Sequence, residues 1–243
     1  KGLVLSPPNL PGWDNIDVVS PLSSTFKVAT GLQNDANACA LAEWKWGAGR
    51  GCNNMIFLTF GTGMGAGLIL DGRLYAGIND MAGEIGHIRM EPHGPVGYGK
   101  AGSLEGFCSG GGIANLAQFM ALDQLQLGKP ASFCQSYEEL EALTAERIGE
   151  AARQGDPLAM RVFETAAYHL GRGLAILVDL LNPERIVIGS IYNRQQELLE
   201  KVTLRVLREE ALPRSLSVCQ VVPAALGESV GDLASLSVAM NLL

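Results

Sequence analysis

Charge clusters and long apolar runs are both missing from this sequence of 243 residues. Only 18% of the residues are charged, and 18 Lys+Arg against 25 Asp+Glu give a net charge of −7 at pH 7. Because neutralising nucleic-acid phosphates requires clustered cations, direct binding of nucleic acid through this segment is disfavoured. The longest apolar runs, at 55–60 and 174–181, fall well short of the roughly 18 residues that cross a bilayer, so we expect no membrane span.

Cysteine pairs are absent as well. The five cysteines are an odd number, lie far apart and form no Cys-x-x-Cys motif. This pattern disfavours a disulfide framework or a structural zinc site and fits a reducing cytosol. The irregular stretch after Lys1 has no cleavable signal pattern, so we expect the chain to begin within a longer protein. With 47% apolar residues, one large or two small domains can bury about 70% of the unfolded surface.

What the sequence does contain is an alternation of strand and helix patterns. A stretch at 36–46 without glycine or proline predicts a helix that ends at Gly47. The Asp71-Gly72 pair predicts a tight turn between two strands. Further predictions are strands at 55–60, 66–70, 73–75, 185–189 and 216–222, a polar helical region at 118–155, and helices at 195–207 and 232–242. The alternation indicates an α/β fold with a mixed sheet.

One long helix has clear end signals. Asp156-Pro157 is a favourable pair for the N-cap and first helical position, and the predicted helix of about 25 residues ends at Asn182, before a proline. Gly171 and Gly173 interrupt this helix. Their lack of a side chain permits close approach by another part of the core or by a second subunit.

The densest glycine segment is Gly-Thr-Gly-Met-Gly-Ala-Gly at 61–67. Its spacing lets backbone N–H groups converge on an anion without side-chain obstruction. A dinucleotide fingerprint requires a following helix, whereas a hairpin is predicted here, and a P-loop requires a lysine that is missing. We interpret the segment as a phosphate clasp between strands, the alternative being a tight turn whose glycines serve packing. The predicted phosphate contacts are Gly61, Thr62, Gly63 and Gly65.

A carboxylate and an amide stand at the start of the first predicted helix, as Asn34-Asp35. Asp35 is most simply an N-cap, because its oxygen can accept from the unpaired N–H groups of the first turn. In the functional interpretation, Asp35 is the general base that accepts a hydroxyl proton during attack on a γ-phosphate, and Asn34 holds neighbouring hydroxyls. The two roles conflict, because a base needs free lone pairs. Asn34 or a flanking residue would then cap the helix.

A second polar group consists of Glu84, His87 and Glu105, each next to glycines. A Glu-x-x-His pair occurs in di-metal sites, but those sites use two such pairs, so we expect no metal here. Carboxylates, an amide and an imidazole together supply the directed acceptors and the switchable donor that vicinal hydroxyls need. We therefore interpret these residues as ligands of a polyol. The alternative of polar surface loops fits the glycines poorly.

Together these motifs resemble the ROK family of repressors, open reading frames and sugar kinases. The resemblance rests on Asn-Asp-Ala-Asn-Ala at 34–38, the glycines at 61–67, Gly-Glu-Ile-Gly-His at 83–87, Gly-Ser-Leu-Glu at 102–105 and Asn-Pro-Glu-Arg-Ile-Val-Ile-Gly at 182–189. It implies a hexokinase-like, actin-like ATPase fold of the ribonuclease H-like type, with a mixed sheet flanked by helices. It also implies phosphorylation of a hexose or N-acetylhexosamine by ATP with Mg²⁺, commonly in a cytoplasmic homodimer.

The resemblance also assigns roles along the chain. Asp35 falls on the catalytic base, and the segment 61–65 falls on the second phosphate motif. The sugar ligands that it implies are Asn34, Glu84, His87 and Glu105. The implied organisation is a remnant of the small N-terminal lobe and connection at 1–30, a large lobe with the sugar and phosphate sites at 31–225, and a closing C-terminal helix at 226–243.

Three departures from the family pattern change these expectations. The family's three zinc cysteines have no counterpart in the stretch at 94–103, so we expect no zinc, and a loop held by turns and packing. The family's glycine triplet appears as Gly189-Ser190-Ile191, which puts nucleotide contacts there in doubt. The Asp-x-Gly-Gly-Thr motif of the small lobe does not occur, so we expect the 243 residues by themselves to be catalytically poor.

Two other functions compete with a sugar kinase. A sugar-sensing transcriptional repressor of the same family would carry its DNA-binding helices upstream, and the missing zinc cysteines favour the kinase over it. A nicotinamide oxidoreductase built on the glycine segment is disfavoured by the hairpin predicted after Gly67.

Overall fold

A computed structural model describes residues 2–5, 10 and 12–241. The strands are β1 (Leu3–Val4), β2 (Ile16–Asp17), β3 (Met55–Phe60), β4 (Met64–Leu70), β5 (Arg73–Tyr75), β6 (Val96–Gly97), β7 (Lys100–Ala101), β8 (Arg185–Ile188) and β9 (Gln220–Pro223). The helices are α1 (Val19–Phe26), α2 (Asp35–Trp46), α3 (Leu104–Cys108), α4 (Gly110–Gln126), α5 (Ala145–Arg153), α6 (Pro157–Leu181), α7 (Ile191–Arg194), α8 (Gln196–Glu210), α9 (Pro213–Leu216) and α10 (Val230–Met240). Short 3-10 helices lie at Ile85–His87, Tyr137–Ala142 and Gly227–Ser229.

Five strands form the central sheet in the order β5-β4-β3-β8-β9. β3, β8 and β9 run parallel, whereas β4 pairs antiparallel with both β3 and β5. Asp71 and Gly72 connect β4 to β5 with φ angles of 51° and 70°, as a two-residue hairpin of this type requires. The predicted mixed sheet and the predicted hairpin are confirmed.

Apolar side chains cover both faces of this sheet. Ile56, Leu58 and Phe60 of β3 are fully buried in a cluster that includes residues of α3, α4, α6 and α8. Met55 and Phe57 belong to a second cluster, on the opposite face, with residues of α2. Successive side chains of a strand alternate between faces, so a strand buried on both sides is a continuous apolar run. Burial of this second cluster holds α2 against the sheet and so sets the position of the first turn of α2.

The buried carboxylate of Glu43 holds the C-terminal end of α2 in place. The Glu43 side chain is fully buried, and its Oε2 accepts hydrogen bonds from the backbone N–H groups of Ala48 at 2.7 Å and Ala225 at 3.2 Å. Its Oε1 accepts from the Leu226 N–H at 2.9 Å. Hydrogen bonds to a charged acceptor are stronger than neutral ones. Glu43 thereby joins α2 to the segment that leads into α10, which packs along α2.

The long helix α6 begins and ends close to the predicted residues. Asp156 caps it by accepting hydrogen bonds from the N–H groups of Leu158 at 2.8 Å and Ala159 at 3.0 Å. A Cβ atom added at Gly171 would lie 2.7 Å from the side chain of Val206 in α8. One added at Gly173 would lie 2.7 Å from the side chain of Leu104 in α3. Both glycines therefore serve close contacts within the chain.

Some predicted boundaries are wrong. The strand predicted at 216–222 begins only at Gln220, because the chain first forms α9 from Pro213, whose fixed φ suits the first position of a helix. The helix predicted from 195 runs on to Glu210, and the strand predicted from 66 begins at Met64. The helix predicted at 232–242 begins at Val230, and residue 242 lies outside the described residues.

The part of the chain that the structure describes contains helices of several lengths and all five cysteines. No helix in this part is at once long enough and apolar enough to cross a bilayer. The five cysteines are free thiols. Burial raises the pKa of Cys39 and of Cys219 to about 11, so both remain protonated, and a protonated thiol is a poor nucleophile.

Candidate active site

The first turn of α2 carries the two polar residues that the sequence singled out. Asn34 is the N-cap, because its Oδ1 accepts a hydrogen bond of 3.2 Å from the Asn37 N–H. Asp35 is the first helical residue, is exposed to solvent, and accepts one hydrogen bond of 2.8 Å at Oδ1 from the Ala36 N–H. The capping role therefore belongs to Asn34. Asp35 is left with an exposed carboxylate, as a general base requires.

Only part of the glycine segment forms the turn between β3 and β4. The Gly61 N–H donates to the Gly63 carbonyl at 3.1 Å, and Thr62 and Gly63 are exposed. Gly65 lies opposite Thr59 in the β3–β4 ladder, so it belongs to a strand and not to the turn. No helix follows the turn, and the dinucleotide fingerprint is excluded as the sequence predicts.

The turn and the start of α2 lie next to each other. A Cβ atom added at Gly65 would lie 3.7 Å from the Ala36 Cβ, and one added at Gly67 would lie 2.5 Å from the Ala36 carbonyl oxygen. The residue after Asp35 therefore packs directly on β4, within two positions of the turn. The candidate base and the candidate phosphate clasp share one side of the molecule.

The segment with Glu84 and His87 runs along the first residues of β4, which β5 does not cover. The Ala66 N–H donates to the Gly83 carbonyl at 2.8 Å. A Cβ atom added at Gly86 would lie 2.2 Å from the Met64 carbonyl oxygen, so this close approach requires glycine. Glu84 and His87 are exposed. The first residues of β4 thus contact both this segment and the start of α2.

Glu105 completes the group from the first turn of α3. It is partly exposed, and its Oε2 accepts a hydrogen bond of 2.9 Å from the Met64 N–H. The residues that the sequence predicts for the site therefore come from four separate segments that meet around the first residues of β4. These segments contain Asn34 and Asp35, Gly61 to Gly65, Glu84 and His87, and Glu105.

A hairpin occupies the stretch in which the zinc cysteines are missing. β6 and β7 pair around a turn of Tyr98 and Gly99, whose φ angles are 42° and 72°. The Tyr98 ring meets the His87 ring edge-on, with the centroids 6.2 Å apart, and the Lys100 Nζ donates to the His87 carbonyl oxygen at 2.7 Å. This loop is held by a turn and by packing. Within residues 2–5, 10 and 12–241, no three His, Cys, Asp or Glu side chains cluster as metal ligands.

An ion pair anchors the base of this loop to α6. Arg172 Nη1 donates to Glu91 Oε1 at 2.5 Å, and the buried His169 ring stacks on Phe107 of α3 with the centroids 3.6 Å apart. Burial lowers the pKa of His169. Sequence reasoning missed this anchor, because its members are distant in sequence and belong to no motif.

Beside the turn lies a cavity of about 190 Å³. Its walls come from the middle of α2, the end of β3, the β8–α7 connection and the segment before α10. The lining includes Cys39, Thr59, Ser190, Asn193 and Ala224. A Cβ atom added at Gly61 would lie 3.9 Å from the Ser190 Oγ, so the cavity adjoins the turn. Apart from Ser190, none of these residues stands out in the sequence.

Ser190 adopts a backbone conformation that favours glycine, with φ 57° and ψ −119°. Such strain costs about 1–3 kcal/mol for a residue with a side chain. We expect Ser190→Gly to raise the free energy of unfolding by about 1 kcal/mol, after the extra unfolded-state entropy of glycine is subtracted. Urea denaturation measures the change. Ser229→Gly is the matched control, because Ser229 has an ordinary φ of −77°. This control variant should be slightly less stable than wild type. An equal loss of stability in Ser190→Gly would show that the Ser190 backbone is not strained.

The profile of the ROK family matches residues 1–240. A glucokinase from Halalkalibacterium halodurans is 36% identical over 222 residues, which are 90% of this chain and 66% of that protein. The DNA-binding transcriptional dual regulator NagC of Escherichia coli K12 is 36% identical over 191 residues, which are 78% of this chain and 45% of the regulator.

A solved structure shows the same fold. The ROK family glucokinase of Streptomyces griseus, in complex with glucose and AMPPNP, superposes with a TM-score of 0.79 at 30% identity and covers 96% of this chain and 75% of its own. The chain therefore has the actin-like ATPase architecture that the resemblance implied. It spans about two thirds of the length of the glucokinase relative and less than half of the regulator.

Proposed function

The chain belongs to the ROK family, and from this membership and the geometry of the site we propose that it carries the sugar and phosphate sites of an ATP-dependent sugar kinase. The observation that carries the proposal is the division of roles at α2. Asn34 caps the helix, so the exposed Asp35 carboxylate remains available beside the β3–β4 turn. Similarity to the glucokinases supports the same activity.

In this proposal Asp35 accepts the proton of a sugar hydroxyl while that oxygen attacks the γ-phosphate in line. The Asn34 Oδ1 already accepts the capping hydrogen bond from the Asn37 N–H. The side-chain N–H₂ of Asn34 therefore remains as a donor to a neighbouring hydroxyl. Glu84 and Glu105 offer acceptors to further hydroxyls. His87 acts as a donor or an acceptor according to its tautomer. Such a set binds a hexose or an N-acetylhexosamine by directed hydrogen bonds.

The nucleotide would lie between the turn and the adjoining cavity. The backbone N–H groups of the exposed residues Thr62 and Gly63 and the hydroxyl of Thr62 suit phosphate oxygens. The cavity beside Ser190 would receive the rest of the nucleotide. Mg²⁺ is held largely by phosphates, waters and one or two carboxylates. The ion would therefore enter this site as part of the magnesium–ATP substrate.

A sugar-sensing repressor is the second candidate, because NagC matches at the same level of identity as the glucokinase. Sensing requires a sugar site but no catalytic base. The test measures ADP release by the protein, including any residues that precede Lys1. The sugars to be compared are glucose, fructose, mannose, allose and the N-acetylhexosamines. Sugar-dependent ADP release supports the kinase. No release with any sugar, together with sugar-modulated binding to DNA, would support the repressor instead.

Two properties of the whole protein stay predictions. A homodimer is implied by the family resemblance. A cytoplasmic location is consistent with the free thiols of the described cysteines, because disulfides form mainly in oxidising compartments.

A further inference from the structure

Glu105 stands between the two halves of the site. Its Oε2 accepts the hydrogen bond from the backbone N–H of Met64, the first residue of β4 after the turn. The bond is partly buried and joins residues that are 41 positions apart. A side chain assigned to the sugar is thus attached to the segment assigned to the phosphates.

The backbone around Glu105 confines the first part of this side chain. Cβ atoms added at Gly86 and Gly97 would lie 3.3 Å and 2.9 Å from the Glu105 Cβ, so both segments press against it. The Glu105 carbonyl oxygen accepts from the Ser109 N–H at 2.9 Å. With Cβ confined, the carboxylate shifts only by rotation about its outer bonds, and such a shift changes the distance between Oε2 and the Met64 N–H.

We infer that Glu105 is a positioning residue that couples sugar binding to the shape of the β3–β4 turn. The inference rests on the proposed function and deepens it. Oε1 accepts from a sugar hydroxyl while Oε2 holds the Met64 N–H. Hydrogen bonds to a charged acceptor are strong, and loss of this one leaves a partly buried donor unpaired. Coupling between two sites is reciprocal, so a displaced turn weakens sugar binding even when no nucleotide is present.

Gly63→Ala tests this coupling from the phosphate side. The added Cβ would lie 3.0 Å from the Glu105 Oε2, which is tighter than an ordinary contact, so the carboxylate must shift by a few tenths of an ångström. Calorimetry with the sugar that the wild-type protein binds, without nucleotide, should show Kd raised by about fivefold, because the shift weakens one charge-assisted hydrogen bond without removing it. An effect confined to the turn would leave the sugar Kd unchanged.

Gly111→Ala is the matched control. Its added Cβ would lie 3.7 Å from the Thr62 carbonyl oxygen, an ordinary contact on the same turn that does not reach Glu105. This variant should keep the sugar Kd within about twofold of wild type. A wild-type Kd in Gly63→Ala overturns the coupling alone. Absence of sugar binding by the wild-type protein overturns the proposed function as well.

Hydrogen exchange of the wild-type protein gives a second test that requires no variant. Saturating sugar should slow exchange of the Met64 amide by about tenfold, because the ligand holds its acceptor in place. The amide of Leu70, at the far end of β4, is the internal reference and should change much less. Equal rates at Met64 with and without sugar would overturn the coupling, even if Gly63→Ala fails to fold.

Discussion

Replacing Asp35 with asparagine is expected to lower kcat by between about 100-fold and 10,000-fold, while the sugar Kd stays within about threefold of wild type. Asparagine has the same shape and can keep the hydrogen bond from the Ala36 N–H, which is 2.8 Å long in the structure. It cannot accept the proton of an attacking hydroxyl. The capping bond of Asn34 is independent of this carboxylate, so α2 should keep its start.

Kinetics of ADP release and calorimetry with the same sugar measure the two effects of Asp35→Asn. Asp71→Asn is the matched control, because Asp71 is exposed in the β4–β5 turn, at the opposite end of β4 from the site. Its φ of 51° is one that asparagine tolerates. This control should leave both constants unchanged. Preserved turnover with lost sugar affinity in Asp35→Asn would rule out its role as the base.

Replacing Gly67 with alanine is expected to lower the free energy of unfolding by about 3 kcal/mol, at the upper end of overpacking costs. The added Cβ would lie 2.4 Å from the Ala40 Cβ and 2.5 Å from the Ala36 carbonyl oxygen. Backbone atoms cannot rotate away, so α2 must move off β4. Because the first turn of α2 carries Asn34 and Asp35, we expect sugar affinity to fall together with stability.

Urea denaturation followed by tryptophan fluorescence measures this loss, since Trp44 and Trp46 lie on α2. Gly65→Ala provides the comparison on the same strand. Its Cβ would meet the Cβ of Ala36 and the side chain of Thr59 at 3.7 Å, which are ordinary contacts. We expect Gly65→Ala to be close to wild type in stability. An unchanged urea midpoint in Gly67→Ala would show that α2 does not need this close approach.

Elements with strong local signals were predictable from the sequence. The helix at 36–46 ends at Gly47 as expected, and Asp71-Gly72 forms the expected hairpin, because capping and turn preferences act over a few residues. The strand predicted at 216–222 forms, but it begins only at Gln220. Pro213 starts a short helix locally, and this signal prevails over the apolar pattern that follows it.

The candidate site was predictable as a set of residues but not as an arrangement. The sequence could not decide whether Asn34 or Asp35 caps α2, because both are good N-caps and the choice depends on backbone angles at the helix start. The bond between Glu105 and Met64 spans 41 positions. No local preference encodes a contact at that separation.

The sequence by itself determined which residues are candidates for the site, the hairpin after the glycine turn and the resemblance to the ROK family, because each depends on residue types at short spacing. Tertiary structure alone decided that four distant segments meet at the start of β4 and that a hairpin next to His87 occupies the place of the missing cysteines. It also decided which of the glycines at 61–67 form a turn and which pack against α2. These outcomes depend on the packing of the sheet against its helices, and the free energy of that packing is shared among residues too far apart to form a pattern in the chain.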